Sequence, residues 1–176
     1  MQRLIKFLAL AAVMPLIMAA NKYSPPELVA PKDNGLTLVS TQNDCCEAKF
    51  SGQIWVSGVV TAQESHGADG DPGEPELILV PDADSLKRLP YFSRYEIKGI
   101  AITNYKDAVS MVFGQEVAKK ITGKEVNNEK IEGRFLIKDY EVGIVCDFPW
   151  ANANLVSADI PPKIAMLGKH VTAYCG

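Results

Sequence analysis

Apolar and polar residues alternate along much of the chain, as they do in β-strands that bury one face. The pattern is first clear over residues 48–62, where most apolar positions share one parity and Gly52 and Gly58 fall among them. Glycine inside such a run marks a bulge or a sharp bend. The segment is therefore predicted to be a strand that coils, as strands do in a small barrel.

Later segments predict one main helix and further short strands. Apolar residues recur at helical spacing within 104–122, Asn104 or Asp107 can cap its start, and Gly123 can end it. A single helical turn is expected at 84–89. Strands are predicted at residues 77–80, 95–103, 129–137, 141–147, 153–158 and 169–175.

This set of short strands with one helix predicts a mainly β fold of the α+β class. The favoured arrangement is a small antiparallel OB-like barrel with the helix closing one end, and a β-sandwich is the alternative. Residues 21–44, which contain several prolines and an Asn-Gly turn, are predicted to be an extended arm. Residues 45–176 then form a single mainly β domain.

Residues 1–20 have the layout of a secretory signal peptide. Arg3 and Lys6 precede an apolar run at residues 7–18, and Ala19 and Ala20 follow it. The run is shorter than the roughly 20 apolar residues that cross a bilayer. We expect the leader to be removed during export to the periplasm or the exterior of a bacterial cell, which leaves no membrane span. An uncleaved anchor is the alternative.

The charge balance argues against a nucleic-acid partner. Loss of the leader removes Arg3 and Lys6 but no acid, which leaves 16 basic against 21 acidic residues, a net charge of −5 instead of −3. Phosphate backbones are held by clustered Lys and Arg. The densest basic groups here are the pairs Lys87-Arg88 and Lys119-Lys120, which are typical of solvated surface.

The four cysteines, Cys45, Cys46, Cys146 and Cys175, are expected to form two disulfide bonds, because export places them where such bonds persist. A bond between neighbouring Cys45 and Cys46 would be strained, so each is expected to join either Cys146 or Cys175. The spacing contains no C-x-x-C motif, which disfavours redox or zinc chemistry.

An acidic loop is a candidate calcium site. Asp69, Asp71, Glu74 and Glu76 lie close together, and calcium is held by clustered oxygen ligands. The EF-hand spacing is absent, so a solvated turn is the favoured interpretation. No other cofactor is indicated.

Catalytic arrangements are weakly represented. His66 and His170 are the only histidines, and neither a G-x-S-x-G nor an H-E-x-x-H motif is present. Glycoside hydrolysis requires two nearby carboxylates. Two pairs offer the same-face spacing, namely Asp139 with Glu141 and Asp82 with Asp84.

Aromatic residues offer the other candidate surface. Phe148 and Trp150 lie shortly after Cys146, while Tyr91 and Phe92 lie in another loop. Ordered aromatic side chains are typical of binding surfaces, although capping of the core is the alternative role. These four residues are the candidate binding surface.

Four short motifs occur in order along the chain, namely Gly70-Asp71, Glu74-Pro75-Glu76, Gly123-Lys124-Glu125-Val126 and Gly133-Arg134-Phe135. In these motifs the chain resembles a group of exported bacterial proteins of unknown function with an OB-like β core. That group bears a histidine cluster after its last motif, whereas this chain has none at that place, so the resemblance implies no shared ligand and no activity.

The sequence therefore favours an exported, non-enzymatic binding module whose partner is a protein or an envelope ligand. The alternatives are a secreted hydrolase that uses paired carboxylates, and a domain that binds calcium or a small ligand.

Overall fold

The computed structural model describes residues 24–42, 46–66, 72–122 and 129–161. Within these ranges the chain forms strands and three short helices, so the mainly β class with accompanying helices is confirmed. The elements are β1 (Leu28–Val29), β2 (Leu36–Gln42), β3 (Glu47–His66), β4 (Pro72–Pro81), α1 (Ala83–Leu86), β5 (Tyr91–Phe92), β6 (Ile100–Ile102), α2 (Tyr105–Phe113), α3 (Gln115–Thr122), β7 (Lys130–Val145) and β8 (Phe148–Asp159).

The strands form one six-stranded sheet in the order β2-β3-β4-β6-β8-β7, and β1 pairs with β5 in a separate small sheet. All neighbours are antiparallel except β6 and β8, which are parallel. The long strand β3 makes three sets of pairings, with β2 along its first part, with β4 along its second part and with β7 along most of its length.

The alternating pattern places one face of each long strand in a common core. Phe135 and Ile137 of β7 are fully buried, as are Leu77 and Leu79 of β4. The helix α2 adds Val109 to the same cluster. The buried apolar residues are Ala48, Phe50, Ile54, Val56, Val60, Ala62, Leu77, Leu79, Leu89, Phe92, Ile97, Ile100, Ile102, Ala108, Val109, Val112, Ala118, Phe135, Ile137, Tyr140, Val142, Ala151, Ala153 and Leu155.

The predicted bend in the first long strand is confirmed at Gly52. Its φ of +97° lies in the region that favours glycine, and the β3–β7 register shifts between Lys49 and Gln53. The two strands predicted at 129–137 and 141–147 are one continuous strand, β7. The interval between the two predictions coincides with a shift in the β7–β8 register around Asp139.

The main helix differs from its prediction in two ways. Gly114, with a φ of +77°, divides the segment into α2 and α3, because this backbone conformation cannot continue an α-helix. Asn104 stands at the N-cap position without making a capping hydrogen bond there. Its side chain instead contacts the backbone of Leu155 on β8.

The predicted disulfide staple is wrong for the cysteines that the structure describes. Cys46 and Cys146 are free thiols, and the end of β7 is held by backbone pairing, with the amide of Ile144 donating to the carbonyl of Cys46. An oxidising compartment permits disulfides, but it does not supply the Cβ geometry that a bond requires. Cys45 and Cys175, like the strand predicted at 169–175, lie outside the described residues.

Candidate functional site

The hairpin that joins β7 to β8 carries the candidate site. Val145 pairs with Phe148, so Cys146 and Asp147 form a two-residue turn. Both turn residues have positive φ, 48° and 66°, which matches the type I′ turn favoured by two-residue hairpins. This turn type twists in the same sense as the strands, so the hairpin tip is a regular extension of the sheet.

Three apolar side chains share one face of this hairpin. Residues directly opposite in a sheet point to the same side, and so do residues two apart on one strand. Val145 therefore shares its face with Phe148, and Phe148 with Trp150. Val145 is 59% exposed and Phe148 is 75% exposed. We call these three residues the hairpin patch.

Trp150 is held against the backbone of the opposite strand. Gly143 is its register partner, and a Cβ placed on Gly143 would lie 2.5 Å from Cζ2 of the indole. No side chain larger than hydrogen fits between them. The indole therefore packs directly on the backbone of Gly143. Packing that restricts a side chain before a partner binds lowers the entropic cost of binding.

Charged residues border the patch on the neighbouring strands. Lys49 of β3 forms ion pairs with Glu141 at 3.1 Å and with Glu47 at 3.2 Å. Hydrogen bonding to Glu141 and then to Glu47 raises the pKa of Lys49 above its usual range. Glu47 and Gly143 are register partners, so this charged group lies beside the Trp150 position.

A cleft of about 370 Å³ is formed by residues of the segment that runs from the end of α1 to β6. Tyr91, Arg94 and Tyr95 line it, together with the apolar side chains of Leu86 and Ile97. We call it the tyrosine cleft. Tyr91 is held by the pairing of β5 with β1, and Ile97 is buried in the core, so both ends of the segment that forms the cleft are anchored.

One hydrogen bond connects the tyrosine cleft to the hairpin turn. The hydroxyl of Tyr95 donates to Oδ1 of Asp147 at 2.8 Å. Asp147 directly precedes Phe148, so the cleft and the hairpin patch meet at this turn. A ligand large enough to cover the turn would contact both.

The structure separates the four aromatic residues of the predicted binding surface. Phe148 and Trp150 lie together, and Tyr91 is half-buried in the neighbouring cleft. Phe92 belongs to the core with 6% exposure, so it offers no binding surface. Sequence reasoning missed Val145 and Tyr95. The two-residue spacing between Val145 and Phe148 was the available signal, but Cys-Asp is not a strong turn sequence.

The candidate carboxylate pairs have other partners. Asp139 accepts a hydrogen bond from Asn154, and Glu141 pairs with Lys49. Asp82 caps α1 by accepting from the amide of Ser85. The pKa of Asp84 is lowered by its hydrogen bond to Lys87. Each of the four carboxylates is thus engaged with a residue other than its predicted partner.

The candidate calcium loop falls largely outside the described residues, as do Asp69, Asp71 and His170. Glu76 lies on β4, where it accepts a hydrogen bond from Gln63. His66 is the last residue of β3. In the described ranges no three His, Cys, Asp or Glu side chains lie close enough together to hold a metal ion.

The chain matches no protein-family model, and neither the curated proteins nor the solved structures include one with significant similarity to it. No helix in the described part of the chain is long and apolar enough to cross a membrane. What the fold and the site define is a mainly β domain with an exposed apolar hairpin tip.

Proposed function

We propose that this protein is an exported, non-enzymatic binding module that docks a partner protein on the hairpin patch. The observation that carries the proposal is the placement of Val145 and Phe148 side by side at a hairpin tip, both more than half exposed. Large apolar side chains in contiguous exposed positions mark interaction sites on soluble proteins. Export is part of the proposal and rests on the leader at residues 1–20.

The composition of the patch fits a protein partner. Tryptophan and phenylalanine are enriched in the centres of protein interfaces, and a polar rim commonly surrounds them. Here Trp150 lies between Phe148 and the ion pairs of Lys49 with Glu47 and Glu141. Because those charges already satisfy one another, a partner can cover the apolar centre without burying an isolated charge.

We propose further that the scaffold is an OB-type barrel. The supporting evidence is the cyclic order of pairings, β3-β4-β6-β8-β7 and back to β3, together with the parallel β6–β8 pair and the helices between β6 and β7. Closure of a sheet on itself removes edges and gives a stiff support for loops. Trp55→Pro would interrupt the β3–β7 pairing that closes the sheet. We expect this substitution to abolish folding, as judged by circular dichroism.

The test is partner capture with matched variants. The mature protein, crosslinked in an envelope extract, is compared with Phe148→Ser and with Met111→Ser. Met111 is a suitable control because it is also exposed, at 44%, but lies on α2. We expect one partner in near-equal amount with the wild type and Met111→Ser, and its loss with Phe148→Ser.

The affinity for the recovered partner is then measured directly. Truncation of a central aromatic in an interface typically costs about 2 kcal/mol or more, which is about 30-fold in Kd. A partner that binds Phe148→Ser as tightly as the wild type would refute docking on the hairpin patch. Failure to recover any partner would refute the binding module itself.

A further inference from the structure

A second cleft, of about 450 Å³, lies on the outer face of β3, β4 and β7 near the end of β8. Its lining includes Gly58 and Gly133, which are register partners on β3 and β7. A Cβ on Gly58 would collide with the carbonyl oxygen of Val80, and one on Gly133 would lie 2.9 Å from that of Asp159, so neither position admits a larger side chain. The volume is within the range of small-molecule sites.

Arg134 lines this cleft and is the one positively charged residue among its described lining residues. Its guanidinium carbon lies 5.2 Å from the centroid of the Trp55 ring, which is the distance of a cation–π contact. Beyond that contact, the guanidinium makes no hydrogen bond or ion pair with any residue that the structure describes. Its planar set of N–H donors is therefore open to a ligand, and that set matches the two oxygens of a carboxylate.

Carboxylates line the same cleft. Glu132 is two residues before Arg134 on the same face of β7, and Asp159 is the register partner of Arg134 on β8. In the described ranges neither acid forms an ion pair. Asp82 adds a third carboxylate, one oxygen of which caps α1. The site thus offers both signs of charge within one small volume.

An apolar wall completes the cleft. Val59 and Val80 are register partners on β3 and β4, and both line the cleft. Val80 is 45% exposed, although its neighbours on the opposite face of β4 are buried. The wall lies next to Glu132, which is the register partner of Val59 on β7.

We propose that this cleft binds a small zwitterionic ligand, a free amino acid or a dipeptide with an apolar side chain. The ligand's carboxylate pairs with Arg134, its ammonium group with Glu132 or Asp159, and its side chain packs on Val59 and Val80. Three carboxylates and one guanidinium line the cleft, so a simple anion is disfavoured by the excess of negative charge. A simple cation would leave the Arg134 guanidinium without a ligand oxygen. A ligand with both charges satisfies both halves of the site.

The test is calorimetric titration of the full mature chain with three probes: the dipeptide alanyl-leucine, its N-acetyl form and its C-terminal amide. Trp55 fluorescence gives a second readout, since a ligand on Arg134 alters the contact with the indole. We expect the dipeptide to bind and each blocked form to bind about tenfold more weakly or worse, because each loses one charge-assisted hydrogen bond.

Two variants assign the charges, and a third is the control. Arg134→Gln should lower the affinity for the dipeptide about tenfold or more and leave the affinity for the C-terminal amide unchanged. Glu132→Gln should reduce the difference in affinity between the dipeptide and its N-acetyl form. Lys98→Gln removes an exposed cation that lines neither cleft, and should change nothing. Absence of heat with the wild type, equal binding of all three probes, or unchanged dipeptide binding by Arg134→Gln would each overturn the proposal.

Discussion

The hydroxyl of Tyr140 donates a hydrogen bond of 2.9 Å to the carbonyl oxygen of Pro90. Tyr140 is fully buried on β7, and its ring also packs against Phe50 with centroids 6.0 Å apart. Pro90 directly precedes β5, which carries Tyr91 into the tyrosine cleft. A single core side chain thus fixes the segment that forms the cleft to the strand that ends in the hairpin patch.

Replacement of this tyrosine should therefore destabilise the fold. Tyr140→Phe keeps the ring but leaves the buried carbonyl of Pro90 without its donor, which costs about 1–3 kcal/mol. Urea denaturation at neutral pH measures the free energy of unfolding. An unchanged midpoint would show that the hydrogen bond contributes nothing net.

The same residue predicts a loss of stability in alkali. Burial raises the pKa of Tyr140 above its usual range. Above about pH 10 the unfolded chain releases this proton while the folded chain keeps it, so the free energy of unfolding falls as pH rises, by about 1.4 kcal/mol per pH unit. Below that pH the contribution is fully present. Denaturation measured between pH 8 and about pH 11 should show the free energies of unfolding of the wild type and Tyr140→Phe converging as pH rises. A constant difference between the two proteins would contradict the role of Tyr140 ionisation.

Tyr105 should show the opposite response to the same substitution. Its hydroxyl is buried and has no hydrogen-bond partner in the described structure. Removal of an unsatisfied buried hydroxyl recovers its desolvation cost, so Tyr105→Phe is expected to raise the free energy of unfolding by about 1 kcal/mol. The measurement is the same urea titration. Destabilisation by Tyr105→Phe would indicate that the hydroxyl has a partner in solution.

Asn104 is expected to be sensitive to small changes. Its amide nitrogen donates to the carbonyl of Leu155 at 2.8 Å, and its oxygen accepts from the amide of Leu155 at 2.8 Å. Asn104→Ala removes both bonds, and Asn104→Asp replaces the donor with an anion facing a carbonyl. Each is expected to lower the free energy of unfolding by about 2–3 kcal/mol. Thermal unfolding checks this, and a loss with Asn104→Ala alone would contradict the role of the amide donor.

The contact between Gly143 and Trp150 predicts strong coupling. Gly143→Ala places a methyl group where the indole lies, and the resulting displacement is expected to cost about 1–3 kcal/mol. In the Trp150→Ala background the same methyl group meets no ring and should cost far less. A double-mutant cycle by urea denaturation measures the difference. Additive effects of the two substitutions would show that the indole does not lie on Gly143.

Phe148 should matter for binding and not for folding. Its side chain is 75% exposed, so Phe148→Ser is expected to change the free energy of unfolding by less than about 0.5 kcal/mol. Calorimetric unfolding of Phe148→Ser and Met111→Ser provides this comparison. A large destabilisation by Phe148→Ser would mean that loss of partner binding reports misfolding.

Local signals correctly predicted much of the architecture. The period-two alternation identified the buried faces of β3 and β7, because every second side chain of a strand points to the same side and is apolar where that side faces the core. Glycine at position 52 correctly marked the bend. The same signals ended the strands too early, since a strand continues wherever a neighbour supplies hydrogen bonds, as β3 does along most of β7.

The sequence by itself determined the mainly β class and the aromatic character of the hairpin. Only the tertiary structure decided which aromatics remain exposed, since burial depends on the register between strands: Phe148 faces Val145 at an open tip, whereas Phe92 points into the core. It also decided the state of Cys46 and Cys146, and it assembled the Arg134 cleft from residues of four strands. Contacts across a sheet are set by pairing geometry, which residue spacing along one strand does not encode.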